Sequence, residues 1–427
     1  MTTRRSAAGR GPAQQARSEG SPVGRVLAAA GPARRGRAAG GAVVAALIVA
    51  AGCGTSAAGG AGAVAPAAAA PPLALSLALS LADAGGTSWA VVEMGGRSAQ
   101  DENFWQVFVR PDGTAAWRLA TPAGVADNGG LVVASTGAGA LLAGFRPSQD
   151  LTFSPLAVTS DAGARWAPGG PVSPGLSDVP GALAAGPGDR LIALTDGGGV
   201  DLGSGGGTRW TRLVGARGLA ATAAGRACGL SGVTAAAFAA DGAPLLGGTC
   251  GKPGVAGIFA RRGGTWRAAG PALPAALAGR DVSVLRLGSA ASSGGTVAVL
   301  AVGRGAGAGV VVAWSASGGS GWRLSPVLQA GSVRVRSVSL WPDGSAGLVL
   351  SGRHGERGAT IAGPGGSWAV LPALPAGVAT LAPGAGGGVE ALTVERSTMR
   401  AWRLSGGVAG WSEFQQVRVS IPYGSSG

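Results

Sequence analysis

The chain has 427 residues, 46% of them hydrophobic, with 82 glycines, 26 prolines and a net charge of +14. That apolar content is ample for a packed core, so a wholly low-complexity chain is excluded despite the glycine. Nucleic-acid binding is excluded too, because residues 1–52 hold eight arginines against Glu19 and no later basic run carries interleaved aromatic residues.

In chain order, Arg34, Arg35 and Arg37 form a positive n-region, and residues 42–49 an apolar stretch short for a membrane span. Ala50-Ala51-Gly52-Cys53 follows and resembles a bacterial lipobox, with Ala50 where that motif prefers Leu. The resemblance implies lipidation of Cys53, palmitate included, and a lipoprotein held on the outer face of the cell membrane. An uncleaved single-span anchor is the other reading. The segment before Arg25 is longer than a signal needs. Residues 53–72 are Ala, Gly, Pro and Ser without a periodic apolar face, which reads as a tether. The expected division is therefore a signal region over 1–52, a tether over 53–72 and a folded domain over 73–427.

Leu73, Leu75, Leu77, Leu79 and Leu81 alternate with Ala and Ser, the period of a β-strand. A turn over 83–87 and strands over 88–94, 104–110 and 116–120 complete a four-stranded unit. Later units repeat the order: inner strand, Gly/Asp turn, second strand, third strand, glycine-rich turn, then tryptophan opening a fourth. Helical periodicity is almost absent, so the fold class is all-β. Residues 417–421 also alternate and compete with 73–81 for the inner edge of the first unit.

The best-preserved turn is Thr159-Ser160-Asp161-Ala162-Gly163-Ala164-Arg165-Trp166. Asp accepts backbone N–H groups inside the turn, Gly permits the left-handed backbone, and Trp opens the next strand. Worn copies recur, as in Ser315 to Trp322, and place tryptophans at 117, 166, 210, 266, 322, 368 and 411. Spacing of this kind marks a repeat array with units about as long as a propeller blade. Thr159, Asp161, Gly163 and Trp166 match position by position the Asp box of sialidase-like (BNR repeat) β-propellers, which the chain resembles. The resemblance implies a seven-bladed β-propeller of four-stranded blades, with the Asp box structural.

It implies no sialidase chemistry. Phe145-Arg146-Pro147 lacks the intervening residue of that family's Phe-Arg-x-Pro motif, and Tyr423, the only tyrosine, lies near the C-terminus. Cys228 and Cys250 flank a hairpin with its turn at 240–242, so a disulfide stapling its open end is expected, and an oxidising envelope favours it over two buried thiols. No metal spacing, P-loop or dinucleotide fingerprint appears, so no cofactor is expected.

Propeller topology puts the loops between second and third strands, and between units, on the face opposite the Asp-box turn. Three such loops carry polar clusters: Asp101, Glu102 and Asn103; Asp127 and Asn128; and Arg146, Gln149 and Asp150. These are the candidate ligand-binding residues, with a solvated polar rim as the plainer reading. His354, the only histidine, falls on the same face. The expected function is a monomeric, membrane-anchored binding or assembly platform for an envelope protein or glycan. The alternative is a secreted glycoside hydrolase with a carboxylate pair on that face.

Overall fold

The computed structural model describes residues 78–83, 85–95, 104–122, 131–145, 156–168, 180–195, 198–290, 295–384, 387–404 and 410–420. Residues 1–77, including the expected signal region, Cys53 and the expected tether, lie outside the described residues. So do Asp101, Glu102, Asn103, Asp127, Asn128, Arg146, Gln149, Asp150 and Tyr423.

The strands β1 (Leu79–Ala82), β2 (Ser88–Met94), β3 (Phe104–Arg110) and β4 (Arg118–Leu119) pair in order, each antiparallel to the one before. The same meander recurs in β5 to β8 (Leu131–Gly137, Ala140–Phe145, Leu156–Thr159, Ala167–Pro168) and β9 to β12 (Pro180–Gly186, Arg190–Thr195, Gly199–Ser204, Arg209–Gly215). Two short helices follow, α1 (Ala216–Ala220) and α2 (Ala223–Cys228). The fourth meander is β13 to β16 (Leu230–Phe238, Pro244–Cys250, Gly257–Arg262, Thr265–Ala268). The fifth is β17 to β20 (Val282–Ala290, Gly295–Val302, Gly309–Ser315, Arg323–Leu324), with a short β21 (Leu328–Gln329) also on β19. The chain ends in β22 to β25 (Arg334–Leu340, Ala346–Gly352, Gly355–Ile361, Trp368–Val370) and β26 to β29 (Val378–Pro383, Val389–Glu395, Thr398–Leu404, Trp411–Arg418). Each meander touches the next, and the last touches the first through β26 and β1. This is a β-propeller arrangement.

Alternate side chains of one strand serve different interfaces. In β2, Trp89 and Val91 pack toward the second meander, while Ala90, Val92 and Met94 pack toward the last. In β18, Val297 and Val299 face the sixth meander, and Ala298, Leu300 and Val302 the fourth. A strand buried on both faces is apolar at every position, which is why these segments read as continuous hydrophobic runs.

The periodic tryptophans are wedges between meanders. Each lies in the cluster that joins its own meander to the preceding one, from Trp166 between first and second to Trp411 between sixth and last. Trp117 lies between last and first.

At that junction Glu390, with no exposed surface, meets Arg110 at 2.6 Å and Arg403 at 3.0 Å. Trp117 Nε1 donates to the same carboxylate at 2.9 Å, and Arg110 also donates to the carbonyl oxygen of Pro383 at 2.7 Å. Burial lowers the pKa of Arg110, with neighbouring Glu390 opposing that shift. Trp117 and Gln415 exchange two further hydrogen bonds at 2.6 and 2.5 Å. The competition for the inner edge is decided by pairing: residues 411–418 form the outer strand β29, and β1 takes the inner edge of the first meander.

The structure departs from separate blades in two places. β1 pairs in parallel with β22 through Leu81 and Leu340, and β14 pairs with β17. Hydroxyls tie the first contact down: Ser80 N donates to Ser339 Oγ at 3.0 Å, Ser80 Oγ to the carbonyl oxygen of Leu381 at 2.5 Å, and Ser337 Oγ lies 2.7 Å from Thr380 Oγ1. The two short helices are small exceptions in a structure that is otherwise nearly all strand, as expected. Thr222 caps α2 by accepting from Gly225 N, and Gly229 ends it at φ 64°. Cys228 closes α2 and is bonded to Cys250 at the end of β14, with Cα atoms 5.1 Å apart. The bridge thus ties a helix to the open end of the β13–β14 hairpin.

Candidate functional site

The turn after β7 is built on two side chains. Thr159 Oγ1 accepts from Gly163 N at 3.0 Å and donates to Asp161 Oδ1 at 2.9 Å. Asp161 also accepts the backbone N–H and the Nε–H of Arg165, each at 2.9 Å. These bonds, the Arg165 backbone N–H first, pull the Asp161 carboxyl from 3.8 down to about 2. Gly163 sits at φ 77°, where a Cβ would also come within 2.7 Å of Ala120 Cβ. Trp166 Nε1 then donates to the carbonyl oxygen of Ala120 in the preceding meander at 2.8 Å. Ser315 to Trp322 repeats the geometry without the Asp: Ser315 Oγ accepts from Gly319 N at 3.1 Å, and Trp322 Nε1 donates to Ala269 O at 2.7 Å. Thr159, Asp161 and Trp166 thus spend their polar groups within the turn or on a neighbour. The turn is scaffold.

The inner strands enclose a cavity of about 280 Å³ lined by parts of β1, β5, β9, β13, β17 and β22. On four successive inner strands the register slips at matching places, between Val233 and Ala235, Val284 and Arg286, Val335 and Ser337, and Val378 and Thr380. A bulge re-aims the side chains beside it. In β17 the first residue beyond the slip is Arg286, a lining residue of the cavity.

Arg286 is partly exposed and lies in the cavity lining. Protein surrounds it otherwise, and lost hydration lowers its pKa from 12.5 to about 10, so it stays cationic at neutral pH. Among the described residues no carboxylate pairs with it. The other charged lining residue, Asp83, is occupied: its oxygens accept from Gly85 N, Thr87 N and Gly139 N at 2.8, 3.1 and 2.7 Å. Trp341, also in the lining, has an indole N–H without an acceptor.

Both ends of the meanders carry charges of both signs, and at the loop end Asp281, Glu356 and Glu395 each pair with an arginine. Turns joining first to second and third to fourth strands carry Asp83, Asp112, Asp161, Asp189, Asp241 and Asp343. The opposite end, from α1 to the last meander, presents Arg217, Arg226, Lys252, Arg280, Arg353 and Arg396, none in an ion pair among the described residues. His354 lies exposed there in the β23–β24 hairpin. The polar clusters expected from sequence lie outside the described residues. Neither Arg286 nor the cationic sector was anticipated; a lone arginine inside the run 282–290 was the available signal. Among the described residues no three His, Cys, Asp or Glu side chains converge to hold a metal ion, and no helix is long and apolar enough to cross a membrane.

No protein-family profile matches the chain, and no curated protein matches it. Solved structures are similar in fold alone. YCF48 from Cyanidioschyzon merolae is 14% identical, with 78% of this chain and 94% of that chain covered at a TM-score of 0.42. A putative 6-phosphogluconolactonase from Bacteroides uniformis is 13% identical, with 78% and 96% covered at 0.46. The WD40 beta propeller domain of Doa1 is 12% identical, with 74% and 89% covered at 0.43. No ligand or activity passes from them to this chain.

Proposed function

We propose that this chain is a binding platform of the cell envelope: a monomeric, seven-bladed Asp-box propeller, lipidated at Cys53, whose loop face docks an acidic surface of an envelope protein or glycan. The observation that carries the docking is the cationic sector, where Arg217, Arg226, Lys252, Arg280, Arg353 and Arg396 have no carboxylate partner among the described residues. Unpaired surface cations on one sector steer an anionic partner and set its orientation. The propeller supplies a rigid frame, and the lipid and tether supply a position outside the cytoplasm.

Co-purification from detergent-solubilised envelope tests this reading. A stoichiometric partner should be retained at low salt and shed as ionic strength rises. The combined charge reversal Arg280→Glu, Arg353→Glu and Arg396→Glu should weaken retention about tenfold or more. Recovery of no stoichiometric partner, or retention indifferent to salt and to charge reversal, overturns the proposal. Turnover of a glycan by the purified chain would favour a hydrolase instead.

A further inference from the structure

We infer that the central cavity is a binding site for a small monocarboxylate with an apolar body, held through its carboxylate by Arg286. The site is separate from the loop face and does not depend on what docks there.

A guanidinium on a channel wall loses much of its hydration, and nothing in the described protein replaces it. Natural interiors usually supply a carboxylate for such a group, as Glu390 does for Arg110 and Arg403. Here the other lining charge, Asp83, is held by three backbone N–H groups. The missing partner is therefore an anion that arrives from outside.

Three features select its class. One cation balances one negative charge; a dianion would leave net charge in a desolvated channel. The planar fork of arginine matches the two oxygens of a carboxylate. The remaining wall mixes hydroxyls such as Ser135, Thr234 and Ser289 with apolar residues such as Leu183 and Leu287, which suits a short aliphatic body. About 280 Å³ limits the ligand to a small molecule. Thr234 Oγ1 is already spent on the carbonyl oxygen of Val284 at 2.6 Å, so it holds the wall beside the bulge in place.

The experiment is calorimetric titration of the full-length chain with hexanoate, with hexanol and inorganic phosphate as comparison arms. Hexanoate should bind saturably at a stoichiometry of one, hexanol should show no saturable binding, and phosphate should bind at least tenfold more weakly. Arg286→Met should abolish hexanoate binding while raising the melting temperature, because it removes an unpaired, partly desolvated charge. Arg286→Lys retains the charge without the fork and should weaken binding several-fold; it decides the matter should the methionine variant fail to fold. Arg323→Ala, an exposed site on β20, should leave binding unchanged. Absence of saturable hexanoate binding, equal binding by Arg286→Lys and wild type, or phosphate binding as tightly as hexanoate each overturns the inference.

Discussion

Glu390 accepts from Trp117 and meets two guanidinium groups while having no exposed surface. Removing it would strand Arg110, whose own burial is nearly complete, and leave Arg403 without its partner. Glu390→Ala should therefore cost about 3–5 kcal/mol in urea denaturation, whereas replacing Glu390 and Arg110 together by Leu and Met should cost much less. At Asp161 the native carboxyl titrates near 2 against 3.8 in the reference state, so the folded turn binds fewer protons across that interval. The stability it contributes is complete above about pH 4 and lost as pH falls toward 2. Asp161→Asn should flatten that part of an acid-unfolding curve followed by circular dichroism; an unchanged curve would refute the assignment. Thr159, Asp161, Gly163 and Trp166 were legible as a turn from residue type alone. That Trp166 reaches Ala120 in another meander was not, because a carbonyl 46 residues away leaves no mark on the motif.

At the scale of elements, the β13–β14 hairpin is closed at its open end by Cys228 and Cys250, 22 residues apart. Either cysteine changed to Ser, or full reduction, should lower stability by about 2–4 kcal/mol, read as a lower midpoint in guanidinium under non-reducing and reducing conditions. Short apolar runs bounded by Gly/Asp turns located the strands, since a strand buried on both faces is apolar at every position. It missed α1 and α2, which are five and six residues long, too short for a helical period to show. Thr222 and Gly229 were the readable signs, as a cap and a left-handed stop. The bulges were invisible for a related reason: one extra residue inside an apolar strand alters register without altering composition. Arg286 lies directly beyond such a slip on the cavity wall, a position that a lone arginine in a strand does not reveal.

For the whole molecule, the tryptophan spacing conveyed the repeat because each wedge sits at the same place in its meander. The candidate site was less legible. The loops singled out for polar residues lie outside the described residues, and the cationic sector is spread over loops separated by whole meanders, so no local run of charge betrays it. Closure was illegible in sequence as well: it depends on Arg110 and Trp117 meeting Pro383, Glu390 and Gln415, at separations of 273 to 298 residues.

Those separations also order events in time. A chain emerging from its N-terminus completes Arg110 and Trp117 long before Glu390 exists to receive them, and loops of that length close slowly. Until then a guanidinium and an indole N–H destined for a dry interface stand open to water. A product cut short before residue 390 never leaves that state, and it should be degraded far faster than the finished protein. Burial of these two groups at the closing junction thus waits until the last meander has been made.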